Sequence, residues 1–456
     1  MGLFNRASKT RDDSEPVESS APLLGEQPPV DDAGRRSVDD HRDYLLSMVE
    51  PLAPFGMTLV DAWGRTLCED IKSYNNLPPV PVSEVDGYAL RYEDARSAAP
   101  GANPVLALVE ALESPPAGDA EPAANAELPA GLGANGWAMR VRAGDPMPQN
   151  ADTVVATEQV SVADDARAIT VLTKIALGDW VREPAAEARD GSVLMTAGTV
   201  LDDRRSALLA AAGFDRVMAR PSTRVALVQF VDSKSERSFD GGRAAGVGVH
   251  LINGAVRADG ATVWRFDLDL ADPKTAAERL SDELIRADLV LTIGGLTDDE
   301  VDTRLVDLLG GMGVVDVATV ALRPGGRHGF GLIGDEHMPV VMLPSEPAAL
   351  LVAYHAFARP VLRKMMGTEP FVHDAILCFA DHDFDGEAGV TQLVPCRLHQ
   401  DGNRYVASEM QSRRHNCLST LASADALVVM PPNRRRVYDG EALACWLLGD
   451  QLVVSG

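Results

Sequence analysis

Two continuous apolar runs, one over 225–230 and one over 289–293, constrain this chain more than any other feature, because neither alternates with polar residues and each follows a stretch of helical spacing. A helix is predicted over 206–212 ahead of the first run and over 275–286 ahead of the second. A strand with one wet face reads apolar at every other position. One that is apolar throughout is covered on both faces, as in a parallel sheet sandwiched between helices. Residues 201–367 are therefore predicted to form a doubly wound α/β domain whose ligands sit at the carboxyl ends of its strands. Those ends read Val231-Asp232-Ser233, Gly294-Gly295-Leu296-Thr297 and Leu343-Pro344-Ser345-Glu346-Pro347.

Composition removes several classes of partner. A formal charge of -25 disfavours nucleic acid and acidic lipid headgroups, which are held by Lys and Arg on phosphates. No apolar run approaches the roughly 18–20 uncharged residues of a membrane span, and the N-terminus lacks the apolar core of a signal peptide, so a cytoplasmic protein without membrane insertion is expected. Cys68, Cys378, Cys396, Cys417 and Cys445 are far apart and form no C-x-x-C pair, which suits reduced thiols better than disulfides or a zinc site.

Along the chain, residues 1–37 are rich in Ser, Pro, Asp, Glu and Arg and are expected to be a disordered acidic tail, a solvated leader rather than a docking tag. His41, Tyr44, Leu45, Met48, Val49 and Leu52 repeat at helical spacing, and a second helical stretch is expected from Leu59 to about Ile71. Segments 103–112, 136–143 and 152–160 read as strands of a small β domain, with a loose loop over 114–136. Gly241 to Gly248 has glycines without the Gly-Lys-Ser/Thr ending of a phosphate loop and is expected to be a flexible loop. His328 and His337 have no ligand at metal spacing, and Arg413-Arg414-His415 is read as a solvated surface. Residues 370–456 read as a small β barrel or sheet.

Four regions taken together resemble the molybdopterin molybdotransferase family, MoeA in bacteria and the E domain of gephyrin in animals. Ala62-Trp63-Gly64-Arg65-Thr66-Leu67-Cys68-Glu69-Asp70 is similar to its A-x-G-R-x-L-x-E-D, and Val85-Asp86-Gly87-Tyr88-Ala89 to its M-D-G-Y-A. Ala143 to Pro148 followed by Ala151-Asp152-Thr153-Val154-Val155 resembles T-G-x-x-x-P-x-G-A-D-x-V-V. Gly294-Gly295 and Pro344 stand where the family has G-G-x-S-x-G-x-x-D and L-P-G-N-P. The resemblance implies an α/β multidomain, elongated subunit: a linking domain (38–80 and 162–200), an inserted β domain (81–161), the doubly wound domain (201–367) and a C-terminal β domain (368–456). It also implies a homodimer, and an activity in which molybdate enters adenylated molybdopterin with Mg2+ and AMP is released.

By the same resemblance Asp86, Asp232 and Asp302 are the candidate catalytic carboxylates, with Asp232 and Asp302 also on Mg2+. Gly294, Gly295, Thr297, Pro324, Gly325 and Pro344 are the candidate substrate-binding residues. Against this, acids stand in the phosphate turns. Thr297-Asp298-Asp299-Glu300 has the form of a capping box that fills a helix N-terminus, Ser345 is expected to cap the next helix with Glu346 in its first turn, and the family's functional glutamate falls on Ala186 beside Glu187. Two like charges about 4 Å apart repel by roughly 1 kcal/mol in water and about 4 kcal/mol at a protein surface, so a dianion is disfavoured there. These departures favour a non-catalytic, gephyrin-like scaffold binding a peptide of a membrane or cell-division protein, with no cofactor and the candidate residues vestigial. The alternative is an active molybdotransferase.

Overall fold

The computed structural model describes residues 24–98, 103–109, 136–231, 244–296, 300–410 and 418–449. The chain divides into two compact units, Ala53–Pro221 and Met1–Leu52 with Ser222–Gly456.

Part of the segment expected to be a disordered tail is structured, and residues 1–23 lie outside the described residues. Residues 24–37 lie against the doubly wound domain: Val30 bridges Arg36, and Arg36 bridges Val320. Arg36 is buried and grips Asp316 with both guanidinium nitrogens, at 2.5 and 3.1 Å, while Gln27 donates to the same carboxylate. A paired arginine needs little apolar area to be ordered, which composition alone does not register. Helix α1 (Val38–Ser47) follows, capped by the Ser37 hydroxyl on the Asp40 N–H. Its buried face, His41, Tyr44 and Leu45, belongs to the core of the doubly wound domain rather than to a linking domain.

In the unit Ala53–Pro221, β1 (Phe55–Thr58) is followed by turns instead of the expected helix, because Thr58 and Asp61 close a local turn and Gly64 adopts φ 72°. A six-stranded sheet forms the β domain. After the short strand β2 (Val82–Ser83), its members are β3 (Gly87–Leu90), β4 (Val105–Val109), β5 (Trp137–Val141), β6 (Thr153–Ala156), β7 (Val160–Val162) and β8 (Ala168–Val171), ordered β6-β3-β5-β4-β8-β7. The sheet runs to Val171, past the expected limit at residue 161, because β8 pairs with β4. β9 (Val181–Arg182) comes next. Helix α2 (Asp203–Ala211) and β10 (Arg216–Ala219) also stay in this unit, β10 pairing with β1, so the doubly wound domain starts near residue 222 and not 201.

The doubly wound domain contains β11 (Arg224–Val231), α3 (Ala244–Ala258), β12 (Thr262–Asp269), α4 (Pro273–Leu284), β13 (Leu289–Ile293), α5 (Glu300–Met312) and β14 (Gly313–Thr319). After a short strand β15 (Leu322–Arg323) come β16 (Arg327–Ile333), β17 (Met338–Leu343) and α6 (Pro347–Ala353). Sheet order is β12-β11-β13-β17-β16-β14, with the first four parallel and the last two antiparallel. Alternate residues of one strand enter opposite cores: Val225 and Leu227 pack on one side, Ala226 and Val228 on the other. This is the double burial that the unbroken apolar runs encode. The glycine-rich segment is helical from Ala244, and Gly248 lets α3 sit close to α6, since a Cβ there would meet Leu350 at 3.0 Å.

Helix α6 continues through a π-helical turn, Tyr354–Ala358, into α7 (Arg359–Met366). On one side of that turn Phe357 meets His41 and His328 at ring-centroid distances of 5.0 and 4.5 Å. On the other, His355 Nδ1 lies 2.8 Å from His373 Nε2, and His373 stacks on Trp446. The C-terminal strands β18 (Ala375–Ala380), β19 (Thr391–Asp401), β20 (Arg404–Glu409), β21 (Ala426–Met430) and β22 (Ala442–Leu447) follow the order β19-β20-β18-β22-β21, and β21 pairs back onto β19. The expected small barrel is thus closed, with β15 added at β19. Cys68, Cys378, Cys396 and Cys445 are free thiols. No helix among the described residues is long and apolar enough to cross a membrane.

Candidate functional site

In the unit Ala53–Pro221 three motifs converge on β2. β9 pairs antiparallel with it, Val181 opposite Ser83 and Arg182 opposite Val82. The Ser83 N–H donates to the Asp145 carbonyl at 2.9 Å, and the Gly144 N–H donates to the Ser83 carbonyl at 2.8 Å. The segments around Asp86, Gly144 and Arg182 are therefore neighbours in space although far apart in sequence. Asp86 sits just past β2, and its Oδ1 accepts the Ala143 N–H at 2.9 Å. The following Gly87 is sterically required, since a Cβ would lie 2.2 Å from the Val155 carbonyl oxygen. The candidate carboxylate is in place, with one oxygen committed to the Ala143 turn.

Arg182 pairs with Glu187 at 2.6 Å and with Glu84 at 3.4 Å. Glu187, the sequence neighbour of the missing glutamate, is engaged by this arginine. Ala185 is left-handed, φ 62°, a conformation that glycine adopts at lower cost. Trp180, which sequence reading passed over, is also left-handed, φ 55°, and accepts the Glu84 N–H on its carbonyl at 2.9 Å.

In the other unit the glycines and prolines gather at the carboxyl ends of β13 and β17. The Gly294 N–H donates to the Leu343 carbonyl at 2.8 Å, tying the two strand ends together. Gly295 is left-handed, φ 83°, and a Cβ there would stand 2.2 Å from Leu305. The Pro324-Gly325 turn packs on α6: a Cβ on Gly325 would meet Ala349 at 2.5 Å and Pro344 at 3.3 Å. Gly294, Gly295, Pro324, Gly325 and Pro344 thus form one contiguous region. Asp232 and Thr297 lie outside the described residues, as do Arg413-Arg414-His415 and most of the expected capping box. Asp302 lies on α5, but its side chain is outside them too.

One expectation is corrected here. The cap of α6 is Glu346, not Ser345: the Glu346 carboxylate accepts the Ala348 N–H at 3.2 Å and the Ala349 N–H at 2.8 Å. The signal was present in Pro347, which favours the first helical position and holds its predecessor extended. A side-chain anion therefore occupies the free N–H groups that a phosphate would use. Among the described residues no group of three or more His, Cys, Asp or Glu side chains is arranged to hold a metal ion.

Strand order and the glycine-lined strand ends define a multidomain α/β protein with a doubly wound domain. Residues 36–213 match the MoeA N-terminal region (domain I and II), and residues 380–448 match the MoeA C-terminal region (domain IV). The chain belongs to the MoeA family. It is 26% identical over 422 residues to molybdopterin molybdenumtransferase 1 of Mycobacterium tuberculosis, covering 89% of this chain and 97% of that protein. It is 26% identical over 433 residues to molybdopterin molybdenumtransferase of Nostoc sp., covering 89% and 92%. A solved MoeA protein of molybdopterin biosynthesis from Pyrococcus horikoshii has the same fold, with a TM-score of 0.62, 21% identity, and 90% of this chain and 99% of that one aligned.

Proposed function

We propose that this protein is a molybdopterin molybdotransferase, taking adenylated molybdopterin and molybdate as substrates and releasing AMP. The observation that carries this reading is likeness over nearly the full length of relatives named for that activity. The grouping of Gly294, Gly295, Gly325 and Pro344 at the strand ends supports it, since a ligand of a doubly wound sheet approaches the backbone there. It displaces the scaffold that the substituted acids favoured, because those acids alter individual turns while the framework extends across the whole chain. Mg2+ takes oxygen ligands, and Asp232 and Asp302 are the carboxylates assigned to it. Asp86 orders the Ala143 turn, and a homodimer and a cytoplasmic location are part of the reading. The test is restoration of molybdoenzyme activity in cells lacking their own transferase, with molybdate-dependent AMP release by the purified protein. Full-length soluble protein that fails both would reject it.

A second reading rests on Glu346. Its carboxylate on the α6 N–H groups competes with any phosphate, which favours a non-catalytic scaffold that holds a peptide of a membrane or division protein. Recovery of such a peptide by a protein inactive in both assays would support it.

A further inference from the structure

We propose that Trp180 is a stacking platform for the flat heterocyclic part of the substrate, pterin or adenine, an inference that rests on the transferase reading. The residue lies between β8 and β9 with φ 55°. A left-handed backbone is rare for a bulky side chain and persists only where something offsets its strain. Packing does not offset it, since the residue remains 45% exposed. Its carbonyl is fixed by the Glu84 N–H at 2.9 Å, and the preceding turn is pinned by the Val154 N–H on the Asp179 carbonyl at 2.9 Å. The backbone is thus held in place from two sides while the indole stays available to solvent.

Position supplies the ligand class. Glu84, bonded to Trp180, is two residues from Asp86, and Arg182 is two residues from Trp180 on the strand that pairs with β2. An exposed aromatic face matches a flat heterocycle, which stacks on it; Arg182, two residues on, has its guanidinium paired with Glu84 and Glu187, so the ring rather than a charge is what the site offers. The other exposed Phe, Trp and Tyr side chains among the described residues, including Trp63, Tyr74 and Tyr438, have no left-handed backbone. Among the described Phe, Trp and Tyr residues, strain and exposure coincide at Trp180.

The experiment compares the wild-type protein with Trp180→Asn and Trp180→Phe, using AMP and pterin-6-carboxylate as probes, calorimetry for affinity and a melting curve for stability. Asparagine tolerates the left-handed region, so W180N is expected to melt higher than wild type while binding at least one probe about tenfold or more weakly. W180F should retain most of the affinity. A structural tryptophan gives the opposite pattern, a lower melting temperature with affinity unchanged, and that result overturns the proposal. Binding of both probes by W180N at wild-type strength also overturns it. Absence of binding by the wild-type protein itself, together with absence of AMP release, removes the transferase reading and the platform with it.

Discussion

Acidification to pH 5.5 should destabilise the unit that holds the doubly wound domain by at least about 4 kcal/mol through three buried histidines, with His373, also depressed by burial, to about 2, adding to the loss, a total comparable with the net stability of many domains. Burial lowers the pKa of His41, His328 and His355 from 6.5 to about 3 in each case, with Arg36 adding to the effect on His41, His41 to that on His328, and Arg359 to that on His355. The ring nitrogens of His41 and His328 make no well-formed hydrogen bond, and the Gly325 backbone beside His328, which favours its charged form, is outweighed by burial. A folded pKa below the unfolded one means that the unfolded chain binds more protons between the two values. Stability is then complete above pH 6.5 and falls as pH drops toward about 3. At pH 5.5 each unfolded imidazole is about 90% protonated and each folded one is neutral, which costs about 1.4 kcal/mol per residue. Because no folded histidine of the three is charged in this window, coupling between His41 and His328 does not enter. His382 opposes the trend: its hydrogen bonds to Asp381 and Glu409 outweigh its partial burial and raise its pKa, but it is too exposed to contribute much. The assay is urea unfolding at pH 7.5, 6.5 and 5.5, repeated on His328→Leu. The variant has its own packing cost, yet that cost is pH-independent, so between pH 7.5 and 5.5 its stability should fall by about 1.4 kcal/mol less than that of wild type. Equal midpoints at pH 7.5 and 5.5, or a His328→Leu slope identical to wild type, would refute the reasoning.

Three further outcomes follow from particular contacts. Replacing Arg36 by Ala strands the buried Asp316 carboxylate and should cost about 3–5 kcal/mol, read as a fall in unfolding midpoint, whereas the double change to Met at Arg36 and Leu at Asp316 should recover most of it. Glu346→Asn keeps a good helix cap without the charge, so stability should change by less than about 1 kcal/mol while calorimetry detects new or tighter AMP binding. Unchanged AMP affinity would show that Glu346 does not obstruct the anion. Ala185→Gly should stabilise the protein by up to about 1 kcal/mol, the left-handed strain less the added backbone entropy of glycine, and a lower melting temperature would contradict the φ of 62°.

What the sequence made legible depended on how local the cause was. The runs at 225–230 and 289–293 announced a sheet covered on both faces because double burial acts on every residue of a strand, and alternate residues do enter opposite cores. The extent of the β domain and the start of the doubly wound domain were misplaced because β8 and β10 are assigned by pairing with strands far away in sequence, which no window over 162–221 reveals. The strap at 24–37 was misjudged for a related reason: one arginine bound to a carboxylate 280 residues away orders a segment whose composition reads as solvated. The motif glycines are steric requirements in each unit, since Gly87 in the one and Gly295 and Gly325 in the other stand where a Cβ would collide. The chemistry within that frame was less legible. An acid in a phosphate turn weakens anion binding only if its side chain reaches the free N–H groups, and reach depends on which residue is the cap. Pro347 decides that for Glu346, placing its carboxylate on Ala348 and Ala349. Whether an anion can reach the α6 N–H groups therefore turns on one rotatable carboxylate, which is why Glu346→Asn separates the two functional readings more sharply than any change to the glycines.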